Sequence, residues 1–400
     1  MTKRMTTRLG AIALALAVAA CGGATSDPFA AATPDVQGLV LETSGTAAQA
    51  LTVDAATSPA ACPEWAYLCR IRAGVQDLNA FVKTAVEPVE ALAQTAPTAQ
   101  KDDTRTYGPV DAPASAPVAT FLLTVKKDLS AETFKFKLEG KPLGADNSKY
   151  VVVMAGKAKR GDQPHRGRGV LAIDLDKLAT LNPPAPAVPA FKGAGQILAA
   201  FSHAGQAKSL AYLLKNFVAD TTVAGAQPVD LALVGHKTPS GETRVRLASV
   251  DEVLAPQSPA ADSGPELVLA RGRWVPGNGG RAAVVVSDFK GSTDVASYST
   301  ASFTVDFFLG VSCWDQNENE GYHHLFACTR TPAVGALPCA DVTPATWPAG
   351  TIATCKPGTD VNDAANLPPA TSATALTPEP MPVDQPQCDA APGDIADVKF

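Results

Sequence analysis

The sequence predicts a mainly β protein, an antiparallel hairpin meander closed into a barrel or strongly curled, preceded by one long amphipathic helix. Three observations carry this expectation. From about residue 118 to 331, apolar and polar residues alternate with period two. Compact turn sequences separate the alternating runs. Ahead of them, residues 64–94 carry apolar side chains at three- and four-residue steps. Period two puts every second side chain on one face of a strand, whereas the longer steps line one face of a helix.

The chain opens with Lys3, Arg4 and Arg8, followed by an apolar run from Leu9 to Ala20. Twelve residues at about 1.5 Å each span about 18 Å, short of the ~30 Å hydrocarbon core of a bilayer. Residues 1–20 therefore read as a cleaved export signal rather than a permanent transmembrane helix. The end of the run, Val18-Ala19-Ala20-Cys21, resembles the lipobox of bacterial lipoproteins. That resemblance implies cleavage between Ala20 and Cys21, a diacylglyceryl group on the Cys21 sulfur, and acylation of the new amine by a chain such as palmitate. Two or more acyl chains anchor stably where one does not, because each buried CH₂ contributes ~0.8 kcal/mol. Gly22 follows Cys21 where an inner-membrane retention signal would have aspartate, so by the same resemblance the outer membrane is the destination. No other stretch approaches 18 unbroken apolar residues.

Residues 21–60 are rich in Ala, Thr, Ser, Gly and Pro without sustained periodicity and read as a flexible tether. The helical segment follows over 61–94, with Pro63 and Glu64 suiting a first turn. Leu68, Ile71, Val75, Leu78, Val82, Ala85, Val89 and Leu92 form its apolar stripe. A stripe of this kind serves a coiled-coil partner or the helix's own domain, and the second reading is preferred. Residues 95–117 read as a linker.

In the β domain, 118–331, Phe134, Phe136 and Leu138 alternate with Lys135, Lys137 and Glu139. Leu171, Ile173 and Leu175 alternate with Ala172, Asp174 and Asp176. Phe303, Val305, Phe307 and Leu309 form a third such run. Turn sequences lie at Gly140–Asn147, Gly161–Gly169, Lys237–Gly241 and Pro276–Gly280. Residues 194–217 read as a hairpin turning near Gly205. About ten to twelve strands result, and connections this short require antiparallel neighbours. A long meander hides its edges by closing or curling. Residues 332–400 return to Pro, Ala and Thr with scattered cysteines, partly disordered over 368–387.

Eight cysteines occur, and export places them where disulfides form. Setting aside the lipidated Cys21 leaves an odd number, so at least one is unpaired or pairs with another molecule. With a helix starting near Pro63, Cys62 and Cys69 stand about 10.5 Å apart, beyond the ~7 Å that a disulfide spans, and are expected not to pair. Cys313 and Cys328 flank the loop Asp315–Gly321 and are the preferred pair, with Cys339–Cys355 second. No CxxC spacing points to a metal.

The net charge is −6, and a surface of that sign disfavours a nucleic-acid partner. Asp315, Asn317 and Asn319 echo the start of a calcium loop, but Glu320 stands where that loop needs glycine and Phe326 where it needs glutamate. A solvated turn is the better reading. His323 and His324, adjacent on a strand, point to opposite faces. Ser287 and Lys290 match S-x-x-K, yet on a strand rather than the required helix. No G-x-S-x-G elbow, P-loop or dinucleotide fingerprint occurs, so no catalytic set, metal site or cofactor is assigned. His165, His203 and His236 have no nucleophile beside them in sequence. One basic cluster stands out: Lys157, Lys159, Arg160, Arg166 and Arg168 around Asp162 in a hairpin. It is a candidate contact for acidic polysaccharide, lipopolysaccharide or lipid headgroups, or else a solvated hairpin tip.

Lipobox, tether, Cys-led helix (Cys62 to Leu92), hairpin meander and Cys-containing tail together resemble uncharacterised envelope lipoproteins of the myxobacterial type. The resemblance implies no activity. The expected function is therefore a non-enzymatic binding or structural role at the envelope, with a protein or polysaccharide partner. An envelope hydrolase, its site assembled from distant His, Ser and Asp residues, is the alternative.

Overall fold

The computed structural model describes residues 27–348, apart from 35, 42–61, 64, 113–116, 129–132, 161–166, 183–190, 205–206, 220, 223–227, 252–263, 276–278, 290–291, 299–303, 316, 318 and 330–338. Residues 1–20, read from the sequence as an export signal, and Cys21, Cys355 and Cys388 lie outside the described residues. A 3-10 turn at Ala30–Ala32 leads to α1 (Val36–Leu39) and α2 (Tyr67–Ala93). The strands then follow: β1 (Ala99–Lys101), β2 (Thr104–Ala112), β3 (Ala119–Asp128), β4 (Thr133–Pro142), β5 (Val151–Arg160) and β6 (Gly167–Asp174). After α3 (Leu175–Thr180) come β7 (Ala194–Ala204), β8 (Ala207–Val218), β9 (Val229–Lys237), β10 (Thr243–Asp251) and β11 (Glu266–Val275). The series ends with β12 (Gly279–Asp288), β13 (Phe307–Trp314), β14 (Glu320–Cys328) and β15 (Cys339–Asp341).

These strands form one antiparallel sheet whose spatial order is the chain order, β1 to β15. Fifteen strands replace the expected ten to twelve because the supposed linker contributes β1 and β2 and the supposed tail contributes β15. The sheet curls but does not close. Among the described residues β1 and β15 each have one neighbour, and at three residues apiece they leave few backbone groups unpaired at the edges. Curling is evident from α2, which touches β2 and β3 near one end of the sheet and β11, β12 and β13 near the other.

Alternation sorts the two faces as the sequence implies for β4, where Phe134, Phe136 and Leu138 are buried on the concave side and Lys135, Lys137 and Glu139 point out. Two runs depart from the expectation. Leu175 starts α3, because the Asp174 carboxylate accepts from the Lys177 amide at 3.0 Å and caps a helix there. β13 begins only at Phe307 and is buried on both faces. The hairpin of β7 and β8 pairs Ala204 with Ala207, next to the expected turn.

The expectation of a single long helix standing ahead of the sheet is not upheld. Helical residues are shared among α1, α2, α3 and two 3-10 turns, α2 contains Pro88, and α2 lies against the concave face. Every residue of the expected stripe, from Leu68 to Leu92, is buried. A fully buried aliphatic side chain contributes about 1.5–3 kcal/mol, so this stripe is a principal source of stability.

The reading of 21–60 as a tether fails for residues 27–41, which enter the same core. Phe29 meets Phe134 edge to face at 5.5 Å, and the Tyr107 hydroxyl donates to Asp27 at 3.0 Å. Asn79 of α2 clamps Leu41, accepting from its amide at 2.9 Å and donating to its carbonyl at 2.8 Å. Glu90 accepts from the Val36 amide at 2.6 Å. From the sheet, Tyr212 donates to the Leu39 carbonyl and Lys208 to those of Gln37 and Val40. An irregular segment is tolerated in a core only when its backbone groups are satisfied, and these side chains satisfy them.

The cysteine pairing also differs. Cys62 bonds Cys69 with their Cα atoms 5.8 Å apart. Because α2 starts at Tyr67 rather than near Pro63, Cys62 sits outside the helix and can fold back. Cys328 bonds Cys339, its register partner on β15, which excludes both expected pairs. Cys313 lies opposite Tyr322 and Cys328 opposite Phe307, at different ends of the β13–β14 ladder. Cys313 is disulfide-bonded too, to a partner outside the described residues.

Two outcomes follow. Leu41→Ala removes a fully buried side chain packed on Gly235 and should lower stability in urea denaturation by about 2–5 kcal/mol, whereas a free tether would give no change. Non-reducing peptide mapping should recover the linked pairs Cys62–Cys69 and Cys328–Cys339.

Candidate functional site

The basic hairpin is the first candidate. β5 and β6 pair Lys159 with Arg168 and Lys157 with Val170, so Lys157, Lys159 and Arg168 all stand on the convex face. Arg160 ends β5, and Arg166, with Asp162 and His165, lies outside the described residues. Register carries this row across the sheet. Arg168 neighbours Ser202, then Ser209, His236 and Arg244 on successive strands, and Arg273 and Arg281 continue it on β11 and β12. Arg246 and Arg271 face each other two residues further along β10 and β11.

Five arginines thus share one face of three adjacent strands. The sequence carried a signal for this that was not used, because Arg244-Val-Arg246 and Arg271-Gly-Arg273 place both guanidiniums of each pair on one side of a strand. Glu242 organises two of them, accepting from Arg244 Nε at 2.6 Å and Arg273 Nε at 2.8 Å. These two hydrogen bonds hold its carboxyl below the usual range.

Of the three unplaced histidines, His236 gains a neighbour. Its Nδ1 lies 2.8 Å from Ser209 Oγ, across the β8–β9 ladder. Among the described residues no carboxylate bonds His236, so the orienting third member of a hydrolytic triad is missing. His203 faces inward opposite Lys208, away from this pair.

The interior holds a second polar cluster, at the start of α2. Glu320 of β14 accepts from the Leu68 amide at 2.9 Å and from Ser312 Oγ at 3.3 Å. A carboxylate here meets the amides that the first helical turn leaves unpaired and the positive end of its dipole. Burial pushes the Glu320 carboxyl up, against the amides, Ser312 and Arg72, which hold it down. Beside it, His323 is register partner to Ser312 and packs on Trp65 with ring centroids 4.2 Å apart. Neither ring nitrogen of His323 makes a hydrogen bond among the described residues. Burial lowers its basicity below the ordinary 6.5, opposed by the backbone at Glu320 and Trp65.

His324 points the other way, to Asp341 at 2.9 Å. The calcium-like loop is closed on itself, with Asp315 accepting from the amides of Asn317 and Asn319 at 2.8 and 3.0 Å. Among the described residues no three His, Cys, Asp or Glu side chains gather as metal ligands, and no helix is long and apolar enough to cross a membrane.

A histidine whose folded value is depressed contributes stability that is present above its unfolded value and lost as pH falls through it. His323→Phe should therefore flatten the fall in Tm between pH ~7.5 and ~5, and an unchanged slope would assign that fall to other groups. No protein-family model, curated protein or solved structure matches the chain.

Proposed function

We propose that this chain is an exported lipoprotein, moored through acylated Cys21 to a bacterial envelope membrane, the outer one in preference to the inner, and that its role there is binding or structural rather than enzymatic. The single observation that carries the reading is the small-residue pair Ala19-Ala20 before Cys21, at the end of an apolar run too short to span a bilayer. Two disulfides among the described residues suit an oxidising compartment.

The core begins at Asp27 and Phe29, so six residue steps separate the acylated sulfur from the folded body. At about 3.5 Å per residue they reach ~21 Å at most, and the body stands close to the bilayer. The concave face is occupied by α2 and residues 27–41, which favours contact through the convex face over capture of a ligand in the lumen. The hydrolase alternative has Ser209 and His236 in its favour, but this pair lies on an outer sheet surface without an orienting carboxylate.

Cys21→Ser should abolish incorporation of labelled palmitate and shift the protein out of the membrane fraction. Retained label in that variant would overturn the reading.

A further inference from the structure

We propose that the chain's own C-terminal segment crosses the convex face of β12–β14 and is fastened there by a disulfide between Cys313 and Cys355. This goes beyond the lipoprotein reading and does not depend on it.

The starting point is a burial that the described elements leave unexplained. Val285, Leu309, Val311 and Tyr322 stand on the convex side of the sheet, yet none is more than 8% exposed. All of β13 is buried, with no alternation along it. The concave side accounts for one face only. There α1, α2, α3 and residues 27–41 pack in a single cluster, joined by Val295, Tyr298 and Val305 from the β12–β13 connection. The convex cluster, among the described residues, holds only strand residues of β11–β15. An apolar sheet face is stable when another element covers it, so the cover comes from elsewhere in the chain.

Cys313 identifies that cover. It lies in the convex cluster and is disulfide-bonded. Cys62 is joined to Cys69 and Cys328 to Cys339, which leaves Cys21, Cys355 and Cys388 as partners within the chain. Cys21 belongs to the other end of the body. Asp27 is held by Tyr107, and the neighbouring Gly108 lies against Leu92 at the end of α2. Cys313 instead adjoins Ser312, which bonds Glu320 at the Leu68 amide where α2 begins. Leu68 and Leu92 are about 36 Å apart along the helix, whereas the six residue steps from Asp27 back to Cys21 reach ~21 Å.

The chain after β15 heads directly for Cys313. β15 is antiparallel to β14, and beyond it the Val342 amide donates to the Leu325 carbonyl at 2.9 Å while the Leu325 amide donates to Thr343 Oγ1 at 3.0 Å. This course runs along β14 toward Tyr322, the register partner of Cys313. Trp347 then meets Tyr67 edge to face, with ring centroids 6.5 Å apart. Cys355 is the eighth residue after Trp347, a reach of ~28 Å. Rounding the edge of β14 to Cys313 takes two strand spacings, about 10 Å, and a sheet depth of about 10 Å more. Cys388 is the forty-first residue after Trp347, and by loop-closure scaling Cys355 is present at Cys313 about tenfold more often. Composition agrees. Residues 342–355 carry no charged side chain and include Ile352, as a segment laid over Leu309 and Val311 requires.

The test uses the unacylated chain from Gly22 onward, exported behind an unrelated cleavable signal so that its disulfides form. Digestion without reduction, by a protease that cuts before aspartate, puts Cys313, Cys355 and Cys388 on separate peptides, 306–314, 341–359 and 384–388. Peptide 306–314 should be recovered joined to 341–359. Recovery joined to 384–388, joined to a second copy of itself, or with a free thiol overturns the proposal. Oxidative footprinting then reads the cover. Tyr322 should be labelled weakly in the wild-type chain and in Cys388→Ser, and several-fold more in Cys355→Ser combined with Cys388→Ser. Labelling of Tyr322 unchanged in that double variant overturns the crossing of the convex face even where the disulfide is found. Cys21 is absent from this chain, so failure here and failure of the lipid anchor are told apart.

Discussion

A meander of fifteen strands in chain order has one problem to solve, the apolar concave face that its period-two patterning creates. Left bare, that face would expose Phe136, Leu123, Leu171, Ile173 and their neighbours to water, at about 25 cal/mol for each Å² of apolar surface. The sheet curls around α2, whose own stripe cannot remain in solvent either. Each apolar surface is stable only because the other covers it. Residues 27–41 fill the space that α2 leaves, with Leu41 pressed into the gap over Gly235, where a Cβ would come within 2.5 Å of the leucine.

The polar groups taken into this core are those that fix where its parts begin and end. Asn79, Glu90, Tyr212 and Lys208 hold the backbone of the N-terminal segment, and Glu320 holds the first amides of α2. These are donors and acceptors that a purely apolar interior would have left unpaired, at a cost of about 1–3 kcal/mol each. His323 departs from this pattern, buried against Trp65 with neither ring nitrogen hydrogen-bonded among the described residues. Outside, Arg244, Arg246, Arg271, Arg273 and Arg281 share one face of β10–β12, with Glu242 bonded to two of them. A second apolar cluster on that face, around Leu309, Val311 and Val285, shows that the outer surface of β12–β14 is not wholly given to solvent.

Much of this was legible in the sequence, because alternation and helical spacing are local patterns. Phe134 to Leu138 and the α2 stripe from Leu68 to Leu92 could be placed on the correct faces from spacing alone. What escaped was whatever depended on a distant residue. The Pro63-Glu64 pair is a sound local signal for a helix start, yet the helix starts at Tyr67, capped by a carboxylate 252 residues later. That shift frees Cys62 to bond Cys69, which the helical spacing had excluded. Phe29, Leu39 and Leu41 lie in a stretch whose Ala, Thr and Gly content reads as tether, and only the curled sheet gives those few apolar residues something to enter. The arginine face needed two facts together, the i, i+2 spacing within β10 and β11 and the register between them, and only the first is written locally.

The sequence by itself therefore determined the class of the protein: an antiparallel β meander with a buried apolar helical stripe. These follow from composition and periods shorter than ten residues, which act through the backbone geometry of a single element. Only the tertiary structure decided that the sheet stays open, how Cys62, Cys69, Cys328 and Cys339 pair, that residues 27–41 belong to the core, and that the basic residues of β5, β6, β10, β11 and β12 lie on one face. Each of these depends on contacts between elements far apart in the chain, or on register carried across several strands, which the pattern of a single element does not encode.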